Sequence, residues 1–132
     1  MKSGPSPAPG KPPTARRRSK FNATPEVVDG IRFASKAEAR RYTELRTLQR
    51  AGKISELELQ PRFVLACGGK TVMIRSAGFP NGRVSVYHAD FRYKNESGAR
   101  VVEEVKGFDQ PISRLRRAVV ETEYGIRIDV VR

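Results

Sequence analysis

Residues 87–106 read YHADFRYKNESGARVVEEVK, and the fold turns on them. The run divides into two strands joined by a polar turn that contains Gly98. The first strand carries Asp90, and the second carries Glu104 and Lys106. A charge in the middle of an apolar strand is costly to bury alone, so each of these needs a partner or a metal ion. Side chains alternate faces along a strand with a period of two. Glu104 and Lys106 therefore share a face with Val102, while Glu103 points the other way with Val101 and Val105. On the first strand the same rule puts Tyr87, Ala89, Phe91 and Tyr93 on one face and Val86, His88 and Asp90 on the other. If Asp90 reaches the Glu104 face, two carboxylates share one hard cation beside an ammonium group. Mg²⁺ is usually held by one or two carboxylates, waters and a substrate phosphate. That set is suited to metal-dependent phosphodiester cleavage.

The chain has 132 residues, a single-domain length with room for a modest core. Its net charge of +12 and pI of about 10.6 favour a polyanionic partner, nucleic acid ahead of an anionic membrane surface. No apolar run approaches the roughly 20 residues of a membrane span, and the N-terminus lacks the apolar centre of a signal peptide. No membrane association is expected. One cysteine, Cys67, excludes an internal disulfide framework and a multi-cysteine zinc site, and one histidine, His88, argues against a His-rich one. A reducing compartment is expected.

Residues 1–20 are rich in Lys, Pro and Gly and contain no acid, so they read as a disordered basic tail. Lys2, Lys11, Arg16, Arg17, Arg18 and Lys20 contribute +6, half of the net charge. Two readings stand side by side, an arm that touches phosphates and a solubilising segment. Residues 21–132 form the expected single domain. Asp29-Gly30 between short β-branched runs predicts a small hairpin. Ser35-Lys36-Ala37-Glu38 is a capping box that opens a helix over 35–51, with Tyr42, Leu45 and Leu48 inward and Gly52 as its stop. Glu38 sits on or beside that inward stripe. It reads as a helix cap, as a carboxylate delivered toward Asp90, or as both. Arg40, Arg41, Arg46 and Arg50 read as a solvated face.

Residues 54–59 alternate as a half-buried strand does, and Pro61 interrupts before residues 63–66. Gln60 is either an exposed strand-end amide or a ligand to substrate or metal-bound water. His88, two residues from Asp90, is either a structural histidine or one that approaches a phosphate. Residues 84–94 read as one strong strand and 100–106 as its partner. A second helix is expected over about 110–123, with Asp109 as cap, Pro111 in the first turn and Ile112, Leu115 and Val119 buried. Arg114, Arg116 and Arg117 on its outer side read as phosphate contacts or as a solvated face. Residues 126–131 close the domain as a strand.

The order of elements, and the blocks FASKAEARRY, LQPRF, YHADFRY and VVEEVKG, resemble the PD-(D/E)XK nuclease superfamily, and within it a family of small phage and prophage proteins. The resemblance covers residues 21–131. It implies an α/β fold with a restriction-endonuclease-like core, helix–mixed β-sheet–helix–strand, preceded by a small β-hairpin. It implies that Asp90 and Glu104 bind Mg²⁺ or Mn²⁺ with the carbonyl of Val105, that Glu38 completes the metal site directly or through water, and that Lys106 positions the attacking water or stabilises phosphate charge. Gln60 matches a glutamine that borders such sites in part of the superfamily. Ala89 departs from the pattern, standing where the superfamily's name has proline. Glu103 replaces Glu104 if a bulge shifts the register, and strand alternation favours Glu104.

The expectation is an Mg²⁺-dependent endodeoxyribonuclease without a small-molecule cofactor, acting on duplex or branched DNA in the cytoplasm of a bacterial or phage-infected cell. By size and resemblance it points toward a homodimeric Holliday-junction resolvase or a phage recombination nuclease. A non-catalytic basic nucleic-acid-binding protein accounts for the charge, but leaves unexplained two carboxylates that would repel phosphate unless a cation lay between them. A nuclease fold retained for assembly, with a decayed site, conflicts with the intact Asp90, Glu104 and Lys106 set.

Overall fold

A computed structural model describes residues 24–132. The basic tail and its Arg16, Arg17, Arg18 and Lys20 lie outside the described residues. The domain opens with the hairpin β1 (Glu26–Val28) and β2 (Ile31–Phe33). Its turn residues Asp29 and Gly30 both take positive φ, 53° and 76°, which matches the twist a two-residue hairpin needs. Helix α1 (Lys36–Arg50) follows. Ser35 caps it, its hydroxyl accepting the Glu38 amide at 3.1 Å, and so satisfies one of the donors left over at a helix start. Tyr42 and Leu45 are buried, as the periodicity predicts, together with Ala39, and Leu48 is partly buried against the same core.

The central sheet has the order β12-β11-β10-β3, built from β3 (Ser55–Leu59), β10 (Phe91–Lys94), β11 (Arg100–Val105) and β12 (Ile128–Val131). β10 pairs antiparallel with β11 and β3, and β12 runs parallel to β11. Helix α2 (Pro111–Tyr124) supplies the crossover that a parallel pair requires. The protein is thus mixed α/β, with a leading hairpin, a mixed sheet and two helices. One core joins α1 to the sheet through Phe33, Tyr42, Leu45, Phe91, Tyr93 and Val105. A second joins α2 through Val102, Val120 and Ile128 to Phe63, Tyr87 and Ala89. Between β3 and β10 lie β4 (Arg62–Val64), β5 (Ala66–Cys67), β6 (Lys70–Thr71), β7 (Met73–Ser76), β8 (Phe79–Val84) and β9 (Val86–His88). They form the two-stranded pairs β4-β9, β5-β6 and β7-β8. No helix among the described residues is long and apolar enough to cross a membrane.

Three expectations fail. Residues 84–94 are not one strand. β9 pairs with β4 and β10 with β3 and β11, so the chain changes partners at Ala89-Asp90. Tyr87 and Ala89 consequently pack in the α2 core while Phe91 and Tyr93 pack in the α1 core. In α2 the buried residues are Arg117 and Val120, whereas Ile112 and Leu115 are 57% and 59% exposed. The helix is turned by Arg117, whose guanidinium reaches Glu104 beneath it and Asp109 beside it. Asp109 is therefore an ion-pair partner rather than the cap; α2 begins at Pro111, and its N-cap Gln110 makes no side-chain cap bond.

Candidate active site

The site lies where two neighbouring stretches bend together. Pro61, fully buried, ends β3 and starts β4. Opposite it, Ala89-Asp90 separates β9 from β10. Three backbone bonds tie the two bends to each other and to β11: Gln60 N–H to the Asp90 carbonyl at 2.9 Å, Ala89 N–H to the Pro61 carbonyl at 3.2 Å, and Asp90 N–H to the Glu103 carbonyl at 2.9 Å. Gln60 adopts φ 50°, a left-handed conformation that a non-glycine residue holds only when its surroundings impose it. The carboxylate of Asp90 is also fixed, its Oδ2 accepting the Val105 amide at 2.7 Å.

Asp90, Glu38 and Gln60 line one cavity of about 180 Å³. Burial pushes the Asp90 carboxyl up to about 7; the Val105 amide opposes the rise, the negative charges of Glu38 and Glu104 add to it, and Lys106 opposes it. Glu38 is likewise raised by burial, with Lys106 drawing it down and Glu104 pushing it up. Glu38, Asp90, Glu104 and Lys106 thus form one electrostatically coupled group, contributed by α1, the β9–β10 break and the end of β11.

Glu104 and Lys106 share a face, as alternation requires, with Lys106 Nζ 3.1 Å from Glu104 Oε2. Glu104 Oε1 accepts from Arg117 at 3.0 Å and from the Tyr87 hydroxyl. Burial and the Glu104 charge hold that hydroxyl well above the usual tyrosine range. Glu103 points to the opposite face, where Arg41 grips both its oxygens at 2.9 and 2.7 Å and the Tyr93 hydroxyl donates at 2.5 Å. Glu103 is saturated there, and it is Glu104 that faces Asp90's group. Arg41 belongs to this buried pair rather than to a solvated face.

The remaining predicted residues divide. His88 is exposed on β9, beyond the break, and does not line the Asp90 cavity; the alternation that linked the two ends at Ala89. Arg114 is exposed and donates to the Asp109 carbonyl. Arg117 is 8% exposed and bonded to two carboxylates, so it is not on an outer phosphate-facing surface. Arg116 is turned inward too, donating to the Val86 carbonyl. Sequence reasoning missed Tyr87 and Arg117 as the supports of Glu104. A buried tyrosine hydroxyl needs a partner, which was the one available signal.

Among the described residues no three or more His, Cys, Asp or Glu side chains form a ready-made metal cluster. The donors nevertheless suit a hard cation. They are carboxylates, and Asp90, raised chiefly by burial, also feels the negative charges of Glu38 and Glu104, which Lys106 opposes. Mg²⁺ needs only one or two carboxylates, completing its shell with water and phosphate.

Residues 18–130 match the family described as "Protein of unknown function (DUF1064)". The chain belongs to that family. No curated protein and no solved structure matches it. The DUF1064 match runs from before β1 into β12 and includes both bends of the site.

Proposed function

We propose that this DUF1064 protein is a metal-dependent endodeoxyribonuclease with a PD-(D/E)XK, restriction-endonuclease-like core. The observation that carries the reading is the convergence of Asp90, Glu104 and Lys106, joined by Glu38, at a strand break. In a chain of net charge +12 such a group would repel phosphate unless a cation lies between. Asp90 and Glu104, with the Val105 carbonyl, would hold Mg²⁺ or Mn²⁺, and Glu38 would complete the site directly or through water. The bound ion supplies a Lewis acid that acidifies water and offsets charge developing on the phosphoryl oxygens. Lys106 orients the attacking water and donates to a phosphoryl oxygen. Glu38, which holds its proton more tightly than an ordinary glutamate, takes up the proton that water releases. Tyr87 and Arg117 keep the Glu104 carboxylate from rotating. The substrate is duplex or branched DNA, and a homodimer places one site on each strand of a junction.

One observation favours a second reading, a basic nucleic-acid-binding protein without catalysis: both oxygens of Glu104 are already engaged. A cleavage assay separates the two. Purified protein with Mg²⁺ is offered a four-way junction, a linear duplex and a single strand, with Asp90→Ala as control. The nuclease reading expects cutting that falls by at least about 10²-fold in the variant. Tight binding with no cutting in Mg²⁺ or Mn²⁺ establishes the second reading.

A further inference from the structure

The cavity beside Asp90 holds a residue that neither the motif nor the metal group accounts for. Its walls carry two carboxylates, Glu38 and Asp90, and one cation, Arg32 of β2. Among the described residues no hydrogen bond or ion pair engages Arg32, and its side chain stays exposed. Lys106, the cation of the coupled group, lies 3.1 Å from Glu104. The hairpin that carries Arg32 is held in place. Ile31 and Phe33 pack toward α1, the rings of Phe33 and Tyr42 lie 5.0 Å apart, and the Tyr42 hydroxyl donates to Asp29 Oδ2 at 3.1 Å. Arg32 pairs across the hairpin with Val27, itself 61% exposed, so the two occupy the solvent side of an anchored arm.

We propose that Arg32 is a phosphate-binding residue, and that the β1–β2 hairpin is an arm which clamps a nucleic-acid strand against the Glu38–Asp90 cavity. The inference rests on the nuclease reading for the choice of substrate. Its physical basis is the planar fork of an arginine, which binds two phosphate oxygens at once. A guanidinium without a protein partner is free to do this. On the rim of an acidic cavity it draws the strand to a position where a neighbouring phosphodiester meets the Asp90 group.

The test measures binding of the full chain, in the Asp90→Ala background, to a four-way junction and to a duplex across a salt series. Each phosphate neutralised adds about 0.9 to the slope of log affinity against log salt. Arg32→Gln is expected to lower the slope by about one. Arg32→Lys, which keeps the charge, restores it. Arg100→Gln, an equal loss of charge at the far end of β11, leaves it unchanged. With Asp90 intact, Arg32→Gln raises KM several-fold and spares kcat. A slope unchanged in Arg32→Gln, or lowered equally by Arg100→Gln, overturns the role of Arg32 even if the chain cuts DNA. An Arg32-dependent slope in a chain that never cuts overturns the nuclease reading and leaves the phosphate-binding role standing. Absence of any binding overturns both.

Discussion

Glu103 and Glu104 are adjacent, both buried, and chemically identical, yet their surroundings divide their roles. Each is held by an arginine from a helix and a tyrosine from a strand, Arg41 and Tyr93 for one, Arg117 and Tyr87 for the other. What separates them is Lys106 and Asp90, which lie with Glu104 alone. Glu103→Gln is therefore expected to lower the melting temperature and spare turnover, whereas Glu104→Gln lowers kcat by about 10²-fold or more. Paired thermal melts and cleavage assays check this, and the reverse pattern transfers the catalytic role to Glu103. Asp90 adds a pH dependence. Its carboxyl titrates near 3.8 when unfolded and at about 7 when folded. Between those values the folded state binds more protons, so the metal-free protein loses stability as pH rises from about 4 to 7. A divalent cation competes with the same proton, and Mn²⁺ affinity is expected to climb over that range and level off above it. Calorimetric titration at several pH values measures the trend.

At the scale of elements, α2 serves both the core and the candidate site. Its inward side carries Arg117 with Val120, and its apolar residues Ile112 and Leu115 remain exposed. Arg117 joins Asp109, at the end of the loop before the helix, to Glu104 in the sheet. The guanidinium holds the Asp109 carboxyl below the usual range, and the two carboxylates in turn hold Arg117 charged. Arg117→Met leaves Glu104 buried without that charge. Removing one partner of a buried pair costs about 3–5 kcal/mol. Chemical denaturation should show a loss of that order. Arg117→Lys recovers part of it, because an ammonium group lacks the fork that spans two carboxylates. A loss below about 1 kcal/mol would mean that Arg117 is not the tie between α2 and the sheet.

For the whole molecule, charge and site work in opposite senses. The chain carries +12, while its candidate site gathers carboxylates. On the proposed reading, a field of that sign would steer a polyanion to the surface at near-diffusional rates, and the local acids would admit phosphate only with a cation between. Half of the net charge belongs to residues 1–20. Deleting them is expected to weaken DNA binding and to flatten its salt dependence by up to about 0.9 for each phosphate that the tail neutralises. The chemistry within a bound complex should be unaffected. An unchanged salt slope in the truncated chain removes the tail from binding.

Much of the molecule was legible before any tertiary structure. Asp29-Gly30 specifies its turn, Ser35 and Glu38 specify a helix start, and strand alternation puts Glu104 beside Lys106 and turns Glu103 away. These are nearest-neighbour effects, set by φ preferences, capping and the pleat, and they do not depend on what packs above. The tertiary structure alone decided the break at Asp90, the inward rotation of α2, the burial of Arg117 and the half-buried pairing of Arg41. A strand that changes partners breaks the alternation, so His88 parted from Asp90 despite their spacing. Whether an arginine is solvated or buried depends on a carboxylate far away in the chain, 62 residues for Arg41 and Glu103. No local pattern encodes that distance. It follows from the need to pair every charge the sheet buries.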